Sequence, residues 1–401
     1  MNKFISPALA DLSQDIAGPI PVKIVEQWLE SDQSPESHEA ILAPYKKIGT
    51  IVSSDASGLS KLSAGRSLIE VMKLVSEPKE ILHAHGKEIG GHAVGIWAAD
   101  NTQMFYDQSI DVNDVVKQMV RAQAAIENVL VDIGIGIHQG SCFEIGGGLY
   151  GFDADTIEDF TEDESNAKEI IISNRTQLSL REPFSTFKEQ RGEMQILDYS
   201  NLDLEVTAKE DPYYPAPFDK DFHNALLGLD ITNSEEVEKL RSERVKTKTI
   251  VLFRIFHEEQ PLLLNQFLQQ VAANTFIHQT CKNYEAKIVK SNGTLAIIAC
   301  DTVAEGVDLA IALQTQAKEE GFTANTGVAM GEVLIFEIGK ESGDIAGGPV
   351  NIASKLAEDT NDREVVFFEE SVADHARQHG ITEKVLLERS GVKITGVKKV
   401  L

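Results

Sequence analysis

Apolar and polar positions alternate along this chain in an order that occurs twice. After a lead-in over residues 1–46, in which Ile24–Leu29 is amphipathic and Ser31–His38 is polar and loop-like, Ile48–Val52 predicts a buried strand. Ser67–Val75 has the spacing of an amphipathic helix. Ile89–Ala98 predicts a hairpin with Gly90-Gly91 at its turn. A long helix over Val112–Val129 follows, then a strand over Val131–His138 that Gly140 turns toward Ser141–Gly148. A short strand is predicted at Ile170–Ser173. From Leu180 to Arg244 the pattern breaks. Pro183, Pro212, Pro215 and Pro217 cluster with aromatic and acidic residues, and Ser234–Glu243 is charged and helix-prone, so this stretch predicts a connector with some structure of its own. Lys248 restarts the order: a strand at Ile250–Phe253, a helix at Leu262–Gln279, and a strand pair over Ala286–Ala299 around the turn signal Asn292-Gly293. A helix at Thr302–Gln316 and strands at Thr323–Met330, Val365–Phe368 and Val392–Val400 complete it.

The recurrence is visible in the residues. Gly134-Ile135-Gly136-Ile137-His138-Gln139-Gly140 aligns with Thr326-Gly327-Val328-Ala329-Met330-Gly331, and Gly151 through Asp163 aligns with Gly347 through Asp359. The expected domains are a lead-in over 1–46, a first domain over 47–198, a linker over 199–245 and a second domain over 246–401. Two like domains facing each other place a site in the groove between them.

Composition narrows the classes. A net charge of −26 over 401 residues argues against a sequence-independent nucleic-acid surface or an anionic-membrane surface. Cys142, Cys281 and Cys300 form neither a zinc pattern nor a disulfide framework, which fits a reducing, cytoplasmic setting with inert thiols. The start shows no basic region ahead of a long apolar run, and no apolar run is long enough to span a bilayer.

Candidate chemistry concentrates in Gly343-Asp344-Ile345-Ala346-Gly347-Gly348-Pro349-Val350-Asn351, a glycine-rich loop running into a helix. Unpaired N–H groups at a helix start suit an anion. Asn351 and Lys355 are four apart and share one helix face. The stretch reads either as a polyphosphate site or as an ordinary strand–loop–helix connection with a solvated lysine. Asp55, at the end of the first strand and before Gly58, can meet a metal-bound phosphate, or it can cap a helix. His138 reads as a core or edge histidine. Asp153, Asp155, Glu158 and Asp159 read as a solvated helix start, and Trp97 as part of the first core.

The motif Ile133–Gly140, the Gly347–Leu356 helix start, and their repeated order resemble class III nucleotidyl cyclases in a tandem arrangement. The resemblance covers residues 45–198 and 246–401. It implies an α+β fold of two ferredoxin-like domains, each a sheet with helices on one face, paired head to tail as an intramolecular pseudo-dimer. In that family one domain supplies two aspartates for two divalent metals. The other supplies a Lys–Asp pair that reads adenine, and an Asn and an Arg that hold ribose and phosphates. The reaction is attack of the ribose 3′-oxygen on the α-phosphate with loss of pyrophosphate.

Carried over residue by residue, the resemblance gives Asp55 the first metal position, for Mg²⁺ or Mn²⁺. The second falls at Gly91, after Lys87-Glu88-Ile89-Gly90, with His92 as a possible substitute one residue on. Lys290 and Asp344 take the base-reading positions, Asn351 the ribose-orienting one, and Lys355 replaces the arginine, losing its planar fork. In the opposite pairing Arg254 and Thr294 stand at the metal positions, and Asp155 and Asp159 at the Asn and Arg positions, which implies a non-catalytic second pocket.

Three functions follow as alternatives. One is a class III adenylyl-cyclase-like protein that binds ATP in preference to GTP, with weak, altered or absent cyclase activity. The second is an active adenylyl cyclase with an atypical metal site. The third is an interaction or scaffold protein that no longer binds nucleotide. No partner chain is needed to complete the composite site, so a monomer is expected, with no nucleic-acid or membrane partner and with a protein partner possible.

Overall fold

The computed structural model describes residues 20–63, 65–97, 101–202, 204, 209–338, 343–389 and 392–400. The first nineteen residues of the expected lead-in lie outside them. Strands β1 (Lys46–Ala56), β2 (His92–Ala93), β3 (Thr102–Asp107), β4 (Ile133–Ile145), β5 (Gly148–Tyr150), β6 (Ile170–Ser173), β7 (Phe187–Arg191) and β8 (Met194–Leu197) form one sheet. Strands β9 (Lys246–Ile255), β10 (Ala286–Ser291), β11 (Leu295–Cys300), β12 (Ala324–Glu337), β13 (Gly343–Ala346), β14 (Val365–Glu369), β15 (Glu383–Arg389) and β16 (Val392–Val400) form the second. The orders are β2-β3-β1-β4-β6-β8-β7, with β5 on β4, and β10-β11-β9-β12-β14-β16-β15, with β13 on β12. The two orders superpose strand for strand, so the chain holds two copies of one α+β fold. The β4–β6 and β12–β14 pairs are parallel, and the other pairs in both sheets are antiparallel.

Alternate residues of each central strand serve different layers. Val251 and Phe253 pack with the helices Leu263–Cys281, Val303–Glu320 and Glu370–Gln378, while Ile250 and Leu252 pack with Ala353 and Ala357 of the helix Gly348–Glu358. The first sheet repeats this, with Val52 toward the helices Leu68–Glu88 and Val112–Ile126, and Ile51 toward Phe152–Glu164. Helices therefore cover both faces, not one. Gly327 lets the second layer close: a Cβ there would stand 2.1 Å from the Ala353 carbonyl oxygen.

Several predicted elements differ in extent. The helix expected over Ser67–Val75 is Leu68–Glu88. A capping box of Ser67 and Glu70 starts it, and burial of Ile81 and Leu82 carries it past Pro78, whose cost in a helix interior is ~3 kcal/mol. Gly90-Gly91 consequently ends this helix and does not form a hairpin turn. Ala98 of that expected hairpin lies outside the described residues. Trp97 is fully buried in the first core, as expected, stacked on Tyr214 at 5.8 Å.

Each sheet is preceded by a pair of helices, Val22–Glu30 and Pro35–Leu42 before β1, and Lys220–Gly228 and Ser234–Arg244 before β9. The N-caps Ser34 and Asn233 are 199 residues apart, the same offset as Asp55 and Arg254, so the repeat reaches into both the lead-in and the connector. Each pair sits at one contact between the halves. Ile24, Val25, Trp28 and Leu42 pack with Ile145 and Tyr150 of the first half and with Leu264, Phe267 and Val271 of the second. Phe222, Leu226, Val237 and Leu240 pack with Ile69 and Met72 of the first half and with Leu334 and Phe336 of the second. The halves thus meet head to tail around a pseudo-two-fold axis.

Candidate functional site

The second half builds a buried charge pair. Between Ile288 and Lys290 the β10–β11 register slips by one residue, with Ile288 opposite Ile298 and Lys290 opposite Ile297. A bulge of this kind re-aims the side chains that follow it. Lys290 comes to the layer of Ile297 and Val289, beside β13. Its Nζ lies 3.8 Å from Asp344 Oδ1, with side chains only 6% and 11% exposed. Burial holds Lys290 below the usual lysine range, and the Asp344 charge offsets this only in part. Gly343 permits the approach of β13, because a Cβ there would stand 2.4 Å from the Phe336 carbonyl oxygen.

Gly347 then turns the chain into the helix Gly348–Glu358 with φ +151, where a Cβ would meet the Glu332 carbonyl oxygen at 2.5 Å. No acidic residue occupies the first turn of this helix, and no side chain caps it. Asn351 is exposed on it. Lys355, 15% exposed, lies 3.8 Å from Asp359 one turn on. Lys290 and Asp344 thus meet, and Asn351 and Lys355 follow on the helix that Gly347 opens.

Asp55 belongs to the other half, half-buried near the end of β1 and opposite Gly134. Strand alternation puts it on the Ile51 side, the layer of the helix Phe152–Glu164. The segment after β1 leads to Ile69 and Met72, which pack with Phe336, and Phe336 is the register partner of Asp344. The chain thus brings the loop after Asp55 to the contact that borders β13.

Gly91, the expected second metal position, does not lie in a hairpin turn. Gly91 precedes β2, and Lys87 is a helix residue whose Nζ lies 3.0 Å from Asp211. His92 is opposite Phe105, which is opposite Ile51, four residues from Asp55 along β1. At ~3.3 Å per residue that separation is about 13 Å, too far to share one ion. His92 Nε2 instead lies 3.2 Å from Glu144 Oε1. Ser54 is opposite Thr102, and Arg254, the counterpart of Asp55, is opposite Leu295. Counting from these registers, the sequence position equivalent to Thr294 is Asp100, which lies outside the described residues. The helix Leu68–Glu88 takes up Lys87 and Glu88, which the motif expects in the hairpin.

The opposite pairing has different electrostatics. Arg254 Nε is 3.7 Å from Glu358 Oε1, and Ser354 Oγ donates to Glu358 Oε2 at 2.6 Å. Burial and then the neighbouring carboxylates push Asp155 up to about 6 and Glu158 to about 8; Asp159 is raised too, by burial and then by Asp163. Asp155 and Asp159 are nonetheless exposed and Glu158 half-buried, in keeping with a solvated helix start. Asp153 accepts from the Ser141 N–H at 2.7 Å and lies 3.2 Å from His138 Nε2, while His138 Nδ1 is 2.8 Å from Ser173 Oγ. His138 is thus a buried core histidine. All three cysteines are buried, and burial pushes each thiol up to about 12.

Among the described residues no helix is long and apolar enough to cross a membrane. No family model matches the chain, and no curated protein matches it. Solved structures do. A class III adenylyl cyclase-like ATP-binding protein from Pseudomonas aeruginosa aligns at 11% identity and TM-score 0.50, over 82% of this chain and 85% of that one. The adenylyl cyclase CyaB from the same organism aligns at 17% identity and TM-score 0.35, over 40% of this chain and 98% of its own. An adenylate/guanylate cyclase/hydrolase from Silicibacter pomeroyi aligns at 16% identity and TM-score 0.34, over 39% and 98%. The two matching sheets and the first of these likenesses together give the conclusion that the chain has the class III cyclase-like fold, present twice in one polypeptide.

Proposed function

We propose that the protein binds ATP at one composite site between its halves and turns it over weakly or not at all, as a nucleotide-sensing pseudoenzyme of cytoplasmic signal transduction. The observation that carries this reading is the Lys290–Asp344 pair. A buried ion pair is at best near neutral for stability, so its placement by a bulge and a glycine contact calls for a ligand. Asp344 accepts from the exocyclic amine of adenine while Lys290 donates to a ring nitrogen, a pattern that favours ATP over GTP. Asn351 orients the ribose, and Lys355 leaves Asp359 to meet the triphosphate, supplying charge without the planar fork of an arginine. Asp55 offers the hard oxygen donor that Mg²⁺ or Mn²⁺ takes. When bound, the ion would neutralise triphosphate charge. The opposite pocket, with Arg254 held by Glu358 and with raised carboxyls at Asp155 and Asp159, is non-catalytic in this reading.

A second reading, a working adenylyl cyclase, is favoured by one count from the described strand registers: Asp100, itself outside the described residues, is the sequence equivalent of Thr294 and offers a second acid for the metal role in the first half. Cyclisation would form the O3′–Pα bond, break the bond from Pα to the bridging oxygen of pyrophosphate, and release the 3′-hydroxyl proton.

The test pairs ATP and GTP calorimetry, with Mg²⁺ or Mn²⁺, with a cyclic-nucleotide assay on the same samples. ATP binding lost in Lys290→Ala and Asp344→Ala, without cyclic AMP, is the expected result. Cyclic AMP that disappears in Asp55→Ala and Asp100→Ala would establish the second reading. Failure to bind either nucleotide would overturn both and leave a scaffold.

A further inference from the structure

The second half carries a separate cluster on its other face. His375 lies in the helix Glu370–Gln378, and His379 caps its C-terminal end, so the two imidazoles stand one turn apart on one side. Asp308 faces them from the helix Val303–Glu320. One ligand atom from each of Asp308, His375 and His379 lies within 4.8 Å of the others. The His379 Nε2 to Asp308 Oδ1 distance is already 3.2 Å. Two ligands held at ~2.0–2.1 Å in a tetrahedron are about 3.3 Å apart, so this edge is at metal-ligating spacing before any ion enters. The imidazole centroids of His375 and His379 are 5.3 Å apart, and partial exposure of all three side chains leaves room for His375 to close the remaining gap.

Neighbouring charge does not oppose a cation. Arg377, the cation on the same helix, is held by Glu370 at 2.9 Å and Asp374 at 2.6 Å. Asp308 and His379 also line a groove of about 500 Å³, with Tyr284, Ile311, Thr315 and Gln316. Three protein ligands beside an open groove is the arrangement that keeps a coordination position for water or a small ligand. Both helices pack on the Val251–Phe253 side of the sheet, and Asn351 and Lys355 belong to the helix on the Ile250–Leu252 side. This cluster is therefore not part of the nucleotide groove.

We propose that Asp308, His375 and His379 form a site for a divalent transition metal of the zinc class, open on its groove side to a water or a small anionic ligand. Two imidazoles and one carboxylate favour Zn²⁺, Ni²⁺ and Co²⁺ over Mg²⁺, which prefers an all-oxygen shell. The ion clamps the Glu370–Gln378 helix to the Val303–Glu320 helix and so stabilises the fold by mass action.

The experiment uses the full chain with any affinity tag removed and no nucleotide present. Co²⁺ is titrated while its visible d–d absorption is followed, Zn²⁺ is titrated by calorimetry, and thermal melts are recorded with and without Zn²⁺. One ion per chain is expected, unaffected by millimolar Mg²⁺. His375→Ala, His379→Ala and Asp308→Ala should each weaken binding at least tenfold and abolish the Zn²⁺-induced rise in melting temperature, while His92→Ala leaves both intact. Circular dichroism confirms that the variants fold. Absence of a saturable Co²⁺ spectrum, binding unchanged in the three variants, or displacement by Mg²⁺ would each overturn the assignment.

Discussion

Asp344→Ala removes a counter-charge 3.8 Å from a lysine that is almost fully enclosed. At 3.8 Å and an effective dielectric of ~20, the attraction between the two charges is about 4 kcal/mol, most of it offset by the cost of burying both. Removing one partner loses the attraction and keeps the cost, so Asp344→Ala should destabilise the fold by about 3 kcal/mol or more. Lys290 can limit the loss by shedding its proton, since burial already holds it below the usual range. Replacing both groups by apolar side chains, Lys290→Met with Asp344→Leu, removes attraction and cost together and should return stability to within ~1 kcal/mol of the parent. The assay is a urea titration followed by far-ultraviolet circular dichroism on the parent, both single variants and the double variant. ATP calorimetry on the same four proteins separates stability from function: the double variant should be as stable as the parent and bind no ATP. A single Asp344→Ala variant as stable as the parent, or a double variant no more stable than the single, would refute the reasoning.

Three further outcomes are expected. Trp28 is fully buried where the first helix pair meets both halves, and its indole N–H donates to Asn265 at 3.0 Å; Trp28→Ala should cost ~3–5 kcal/mol, read as a lowered melting temperature. Gly347→Ala meets both an unfavourable φ and the Glu332 carbonyl, and should cost ~1–3 kcal/mol and weaken ATP binding, whereas Gly348→Ala, with open space around it, should do neither in melts and calorimetry. Asp155 and Glu158 are raised to about 6 and about 8, so the folded chain holds protons that the unfolded chain releases near pH 4. Their contribution is present below about pH 4 and is lost as pH rises to about 8; Glu158→Gln should therefore gain stability over the parent on going from pH 5 to pH 8, and a difference that shrinks over that range would contradict the shift.

Much of the fold was legible because repeated patterns constrain one another. Val131–His138 and Thr323–Met330 are recognisable strands on apolar content, and Gly136 and Gly327 match because equivalent helices, Phe152–Glu164 and Gly348–Glu358, pack closely on them. Strands β7 and β15 escaped, since Phe187–Arg191 and Glu383–Arg389 are largely charged and read as surface, whereas β16 was legible at Val392–Val400. The helix pairs escaped as repeat members because Ser234–Arg244 is so polar that only Val237 and Leu240 are buried in it. Within the candidate site, the structure brings Lys290 and Asp344 together and puts Asn351 and Lys355 on one helix, as their spacing implied. The hairpin expected at Gly90-Gly91 was misplaced because Pro78 hid the true length of the preceding helix. The Asp308, His375 and His379 cluster had no linear pattern, because 67 residues separate its acid from its first imidazole and only packing joins them.

Fusion of the two copies has a consequence for how the protein responds to its ligand. In a symmetric homodimer every substitution appears in both grooves, and two identical sites titrate together. Here one chain holds both copies at the high effective concentration of a tether, so Lys355 can stand in one groove while Asp159 stands at its equivalent in the other. The expected isotherm is a single hyperbola of one nucleotide per chain, with a Hill coefficient of one and a midpoint that does not move with protein concentration. On the proposed function, such a molecule would report nucleotide level in a graded way, with no threshold set by its own abundance.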